Sequence, residues 1–289
     1  MASRGRSGAG RMPASRQRAR RARRSNQRSD LSARILAALP AIAFAIFIVY
    51  EGGWVFAIGA AGLGCVCLHE LYALYRRTRP TRLAGFLALL AMVVAAHVGT
   101  PRQILLVLAI AIPLTFALTL AAPRRGNATA SIAVTLLGVL WIGIAVSHAV
   151  LLRDLPHGGG VLVDVLVGTF IGDTGAYLGG RAFGRRLLAP TISPHKTLEG
   201  LGIGMVTAVL AVWFAGLYQD WLHSGRAVLL GIGVAIAAPL GDLFESLVKR
   251  DAGSKDTGRL FGPHGGALDR LDAALFALVA GYYIWRLML

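Results

Sequence analysis

The chain has 289 residues, of which 55% are hydrophobic and only 15% charged, and a water-soluble globule of that length needs more charge than this to cover its surface. The balance excludes an ordinary soluble domain and places the chain in a bilayer. Lys and Arg outnumber Asp and Glu by 30 to 14; such an excess suits nucleic acid, anionic lipid or the cytoplasmic loops of a membrane protein, so the position of the charges has to decide.

Residues 1–30 carry ten arginines among Ser, Gly, Ala and Gln, with Asp30 the only acid, a composition that predicts a disordered tail. Because the tail stands directly before an apolar run, attraction to anionic membrane lipids and orientation of the first span explain it better than RNA binding, and no nucleic-acid partner is expected. The stretch from Leu31 to Tyr50 is too long for a signal-peptide core and is followed by further spans. A crossing takes about 20 apolar residues, and such runs occur at about nine places: near 32–50, 54–75, 83–99, 103–122, 130–152, 161–180, 200–218, 227–248 and 267–287. The expected fold is all-α, a polytopic transmembrane helical protein.

Cys65 and Cys67 lie inside the second run, where they cannot build a disulfide framework, and Cys-x-Cys without nearby ligands is poor zinc evidence. His69 and Glu70, which follow, are expected to be the polar end of a membrane helix rather than metal ligands.

An odd number of spans puts the two termini on opposite sides, so the loops can be tested for charge bias. One side holds the tail and loops with Arg76, Arg77, Arg79 and Arg82, then Arg124 and Arg125, then Arg181, Arg185, Arg186 and Lys196, and finally Lys249, Arg250, Lys255 and Arg259; the other has only Arg102, Arg153, Arg226 and Arg286. The bias predicts that the N-terminus and the two long polar loops, 181–199 and 249–266, face the cytoplasm.

An ionised side chain inside a span costs several kcal/mol unless it is paired or wet, so acids in or beside spans point to chemistry. Asp173 falls late in the sixth run, Asp242 and Glu245 late in the eighth, and Asp269 and Asp272 early in the ninth. Asp164, near the outer end of the sixth, is expected to be interfacial. Asp242, Glu245, Ser246 and Lys249 are spaced i, i+3, i+4, i+7 and so share one helix face. The next loop contains Lys249, Arg250, Lys255, Asp256, Arg259 and His264-Gly265-Gly266. Carboxylates suit Mg²⁺, which takes one or two of them together with substrate phosphates; Lys, Arg, His and the amides of a Gly-Gly turn suit phosphate oxygens. Together they describe metal-assisted phosphoryl or nucleotidyl transfer at a membrane surface.

A second constellation spans 172–200. Gly172-Asp173-Thr174-Gly175-Ala176-Tyr177 puts small and polar residues into an apolar helix, which permits close approach of a backbone or substrate. Ser193-Pro194-His195-Lys196-Thr197-Leu198-Glu199-Gly200 is expected to open the seventh helix, with Pro194 in its first turn and Ser193, Lys196 and Thr197 as donors to an anion.

Residues 246–272, SLVKRDAGSKDTGRLFGPHGGALDRLD, resemble the signature of the phosphatidate cytidylyltransferase family at Ser246, Lys249-Arg250, Lys255-Asp256, Gly258, His264-Gly265-Gly266, Asp269-Arg270 and Asp272. The Asp173 and Ser193–Gly200 segments resemble that family's upstream motifs in the same order, and the similarity covers about residues 170–280. Ala267 departs from the pattern, which has a larger apolar residue there. The resemblance implies transfer of CMP from CTP to phosphatidic acid, giving CDP-diacylglycerol and pyrophosphate, with Mg²⁺ and in some members a monovalent cation such as K⁺. It implies that Asp242 and Asp269 bind the catalytic metal and that Lys249, Asp256 and His264 belong to the active site, and it leads us to expect a homodimer in the bacterial inner membrane.

On that reading Lys249, Arg250, Lys255 and His264 contact phosphates, and Asp173, Asp242, Asp256 and Asp269 face metal or its water, with Asp272 behind them. Ser193 and Lys196 meet the lipid phosphate or the far end of CTP; Thr197, Ser246, Gly265, Gly266 and Arg270 complete the substrate site. The chain then divides into the tail (1–30), N-terminal transmembrane helices (31–160) and a C-terminal catalytic region (161–289). A CTP-dependent lipid kinase of the dolichol or phytol type is the nearest rival, distinguished by release of CDP. A secondary transporter would carry its acids at the midplane, in broken helices repeated in two halves, which this sequence does not show.

Overall fold

A computed structural model of the chain describes residues 40, 42–122, 127–258 and 265–289. The chain divides into two compact units, one ending at Ile46 and one running from Phe47 to Leu289. Of the first, the described residues are Pro40 and the opening turn of helix α1 (Ile42–Glu51). The second contains α2 (Gly53–Leu74), α3 (Arg82–Val98), α4 (Pro101–Ala121), α5 (Ala128–Gly138), α6 (Ile144–Asp154), α7 (Gly158–Phe183), α8 (Leu198–Gly216), α9 (Ser224–Asp251) and α10 (Leu268–Met288). A π-helical turn over Val139–Gly143 joins α5 and α6, so the two form one continuous rod of 27 residues.

Among the described residues, seven helices are long and apolar enough to cross a membrane: α2, α4, the α5–α6 rod, α7, α8, α9 and α10. Their bounds fall within a few residues of the apolar runs from which they were expected. The chain is therefore a mostly helical, multi-pass membrane protein. Two of the nine expected spans coincide with shorter apolar helices, Ile42–Glu51 and Arg82–Val98, and the start of the first, from 32 to 39, lies outside the described residues, as do residues 1–30 of the tail.

A dry core forms where α2, α3, α6 and α10 meet, around Leu68, Leu71, Tyr72, Leu89, Met92, Ile142, Leu152 and Trp285. On α4, by contrast, Leu105, Leu106, Ile110, Ile112 and Phe116 are exposed, the outward apolar surface expected of a helix solvated by lipid chains. Hydrocarbon provides no hydrophobic drive between helices, so association relies on close packing and internal hydrogen bonds. The α7–α8 seam shows the first: a Cβ on Gly172 would lie 2.9 Å from Ala208 Cβ, and one on Gly204 would lie 2.7 Å from Ala176 Cβ. Glycine at these positions lets the two backbones approach, as the small residues of the 172–177 segment led us to expect.

One expectation is corrected. Ser193–Thr197 is not the first turn of a helix but the second strand of an antiparallel hairpin, β1 (Leu187–Ala189) with β2 (Ser193–Thr197), in which Leu187 faces Thr197 and Ala189 faces Ser193. A two-stranded ribbon has only edges, so Pro194 fits it without breaking an interior ladder. The helix begins afterwards: Thr197 is the cap of α8, its Oγ1 accepting Gly200 N–H at 3.1 Å. Glu199 Oε2 accepts the backbone N–H groups of Arg185 (3.0 Å) and Arg186 (3.1 Å), which seats the base of the hairpin. The described residues are thus mostly helical with one ribbon. Asp164, near the outer end of the sixth run, is 1% exposed and accepts a 2.9 Å hydrogen bond from Gln219 Nε2 in the segment after α8.

Candidate active site

The sequence places carboxylates near one end of α7, α9 and α10, and the fold turns these ends toward a common space. A cavity of about 660 Å³ lies among α7, α8, α9, the first turns of α10 and the β1–β2 hairpin. Its charged lining is Asp173 and Arg181 from α7, Lys196 from β2, Asp242 from α9, and Asp269 and Asp272 from α10; Ser193, His195 and Thr197 join from the hairpin. Its deep end is formed by small residues, Gly168, Gly172, Gly204, Ala208, Ala235 and Ala238, beside Pro239. Asp242 and Asp269, on which the reading above depends, therefore line one cavity.

Two lysines partly neutralise the acids. Lys196 contacts the Asp242 carboxylate directly, so the hairpin is tied to α9 across the cavity mouth. Lys249 contacts Glu245, one turn earlier on α9, and reaches Asp269 Oδ1 at 3.0 Å. Glu245 is fully buried, and a buried carboxylate needs such a partner. Asp269 also accepts the Thr257 N–H (3.1 and 3.0 Å to its two oxygens) and the Gly266 N–H (2.6 Å). Among the described residues no Lys, Arg or His forms an ion pair with Asp173 or Asp272. These two lie within electrostatic reach of each other and of Asp242, with Lys196 in reach of Asp173 and Lys249 in reach of Asp272.

Of the residues singled out from sequence, Asp173, Asp242, Asp269, Asp272, Ser193, Lys196 and Thr197 line the cavity. Lys249 is not among the lining residues; it is held between Glu245 and Asp269. Arg250 is occupied too: Nε donates to Ile192 O at 3.1 Å and Nη1 to Ser254 O at 3.2 Å, fastening the hairpin to the end of α9. Lys255 and Asp256 are exposed in the following turn, where the Asp256 carbonyl accepts the Ser254 hydroxyl at 2.8 Å. Ser246 is half-buried on α9 and Arg270 is exposed on α10; neither they nor Lys255 and Asp256 are among the residues that line the cavity. The Gly266 amide, expected to meet a substrate phosphate, is turned inward onto Asp269, and Gly265 beside it adopts φ +81°. His264, with residues 259–263, lies outside the described residues.

Sequence reasoning passed over two groups that organise this end of the molecule. Glu70 on α2, expected to be a polar helix end, is buried and accepts backbone N–H groups from Ala267 and Leu268. The Tyr75 hydroxyl donates to Asp251 Oδ2 at 2.8 Å and lies 3.0 Å from Val248 O, joining the end of α2 to the end of α9; burial, with Asp251 beside it, pushes the Tyr75 phenol up from its ordinary range. The only signal for either was a polar residue at the end of an apolar run, which does not say what it will touch.

Among the described residues no three His, Cys, Asp or Glu side chains converge into a pre-formed metal cage. The donor set nevertheless fits Mg²⁺, which typically takes one or two carboxylates, keeps water and completes its shell with substrate phosphates. Among the described residues Asp173 and Asp272 present carboxylates to the cavity without a direct ion pair, an arrangement that suits a divalent ion.

Fold and cavity together define a multi-pass membrane protein with an acid-lined site where helix ends meet a polar ribbon. The chain belongs to the cytidylyltransferase family, whose pattern it matches over residues 32–288. It is 32% identical over 297 residues to the phosphatidate cytidylyltransferase of a Synechocystis species, covering 89% of this chain and 97% of that protein, and 29% identical over 269 residues to that of Bacillus subtilis, covering 89% and 98%. Against the phosphatidate cytidylyltransferase of Mycobacterium bovis it is 34% identical over 167 residues, 58% of this chain and 55% of that relative, so this match spans about half of the mycobacterial protein.

Proposed function

We propose that this chain is a phosphatidate cytidylyltransferase of the bacterial cytoplasmic membrane, joining CTP and phosphatidic acid to give CDP-diacylglycerol and pyrophosphate. The observation that carries this is the single cavity in which Asp173, Asp242, Asp269 and Asp272 face Lys196 and Ser193. The names of the relatives support the substrates.

In the reaction a phosphate oxygen of phosphatidic acid forms a bond to the α-phosphorus of CTP, and the bond from that phosphorus to the β-phosphate oxygen breaks, releasing pyrophosphate. The nucleophile is already anionic and needs no strong base; the obstacle is repulsion between two polyanions. Asp173, Asp242, Asp269 and Asp272 are the carboxylates that would hold Mg²⁺, with a monovalent cation such as K⁺ as a second ion. Bound there, Mg²⁺ would neutralise phosphate charge and polarise the reacting phosphoryl group. Lys196 and Ser193, on the hairpin, are placed to meet a phosphate entering at the mouth, Lys196 exchanging part of its contact with Asp242 for the ligand. Tyr177 and Arg181 stand at the same wall on successive turns of α7.

The arginine-rich loops support an orientation in which this end of the helices faces the cytoplasm, where CTP is. Counting α1 and α3 as crossings gives nine spans; α3, at 17 residues, is about 26 Å long and stands at the short end of what spans a bilayer.

The test is to purify the full chain in detergent and supply phosphatidic acid, Mg²⁺ and CTP labelled at the α-phosphate. A labelled liponucleotide with pyrophosphate is the expected product, lost with EDTA and restored by Mg²⁺. Release of CDP with a phosphorylated lipid alcohol would establish the kinase instead, and substrate uptake into liposomes without CTP turnover would establish a transporter.

A further inference from the structure

Glu70 comes from α2, an element that adds no residue to the cavity lining, yet its carboxylate ends at the root of the helix that brings in two of the four acids. It is 6% exposed. Ala267 N–H donates to Oε1 at 3.0 Å and Leu268 N–H to Oε2 at 2.9 Å, and the Thr257 hydroxyl lies 3.4 Å from Oε2. The first turn of α10 thus has its amide ends occupied by a carboxylate of the protein itself, the charge that a helix N-terminus favours. The flanking glycines are shaped to the same group: a Cβ on Gly258 would stand 2.6 Å from Glu70 Oε1, and one on Gly266 would stand 2.2 Å from Oε2. Residues before and after the loop therefore close on Glu70, while Thr257 N–H and Gly266 N–H close on Asp269.

We propose that Glu70 is a positioning residue for the transfer site: by binding the Ala267 and Leu268 amides and the Thr257 hydroxyl, it sets the register at which α10 delivers Asp269 and Asp272 to the cavity. The anchored amide of Leu268 is one residue before Asp269 and about one helical turn before Asp272, so a slip at the anchor turns both carboxylates together. Without Glu70, two buried amides lose their acceptor, and the least costly response is for the first turn of α10 to unwind toward water. The catalytic consequence rests on the reaction proposed above; the structural one does not.

The experiment compares the full-length wild type with Glu70→Gln, which keeps the shape and one acceptor oxygen, and with Glu70→Ala. Amide hydrogen exchange in detergent is read over peptides covering 255–272 and, as a control, the α7–α8 seam. In Glu70→Ala exchange over 265–269 should accelerate about ten- to hundredfold, with the seam unchanged and Glu70→Gln intermediate; unchanged exchange over 265–269 in both variants overturns the proposal. In the CTP assay both variants should lose kcat and require more Mg²⁺ for half-maximal rate, with KM for CTP moving less. A merely structural role would lower the active fraction and leave the Mg²⁺ half-saturation of the remainder at the wild-type value, and that result also overturns the proposal. Should Glu70→Ala fail to fold, Glu70→Gln carries both measurements. If the wild type makes no liponucleotide at all, the proposed reaction falls while the exchange data still decide whether Glu70 anchors α10.

Discussion

Polar groups occur at both the α3–α5 end and the α7–α10 end of the molecule, but they are handled in opposite ways. Around α4 and α5 they are hydroxyls, and each is closed onto protein: Thr115 onto Ala111 O at 2.6 Å, Thr119 onto Thr115 O at 2.7 Å, Thr135 onto Ser131 O at 2.7 Å, and Ser131 onto Arg79 O at 2.6 Å. Thr135 Oγ1 further accepts Thr81 N–H at 2.8 Å, pinning the loop before α3. Around α7, α9 and α10 carboxylates gather, and among the described residues two of them, Asp173 and Asp272, face a cavity without a direct ion pair. A closed hydroxyl network stabilises a bundle at little electrostatic cost, whereas carboxylates left open at a membrane surface are costly unless something arrives to bind them. The contrast separates scaffold from site by how each region holds its polar groups.

Removing an open carboxylate gives the largest expected effect and the sharpest test of that contrast. Asp173→Asn and Asp272→Asn break no ion pair of the described structure, so thermal midpoint and helical content should stay near wild type while CMP transfer falls about a hundredfold or more. Full activity in either variant would remove that residue from the site. Lys249→Met should act the other way, on stability first: it leaves Glu245 buried without its cation and takes one of three donors from Asp269, a loss of about 3–5 kcal/mol visible in denaturation. Adding Glu245→Gln to Lys249→Met should recover much of that stability without recovering activity, since Asp269 still lacks its lysine. Thr135→Val, in the closed network, should lower stability by about 1–2 kcal/mol through the orphaned Thr81 amide and leave kcat and KM unchanged. A large catalytic defect from this substitution would erase the distinction between the two ends.

Much of this was legible in the chain because the relevant signals are local. Runs of about 20 apolar residues mark the long helices, and the i, i+3, i+7 spacing of Asp242, Glu245 and Lys249 fixes a common face whatever surrounds it. The gathering of Asp173, Asp242, Asp269 and Asp272 followed from their lying near the same end of neighbouring spans. What sequence did not show is where partners come from. Glu70 is 197 residues from Ala267, and a carboxylate at the end of a span looks the same whether it faces headgroups or caps another helix. Lys249 and Gly266 were matched to phosphate by residue type, yet the fold supplies internal carboxylates that occupy both. Pro194 suited a helix start equally well as a ribbon edge, and only the pairing of Leu187 with Thr197 decides.

The deep end of the cavity is walled by Gly168, Gly172, Gly204, Ala208, Ala235 and Ala238, that is, largely by main chain. Walls made of long side chains can change shape within nanoseconds as rotamers flip, and such pockets tolerate guests of several sizes. Here, beside Thr169, there is little to swing aside, so the floor of the chamber keeps its dimensions for as long as the helices keep their places. Discrimination by bulk at that depth should accordingly be steep, and each methyl group added to the lining should subtract directly from the room a guest can occupy.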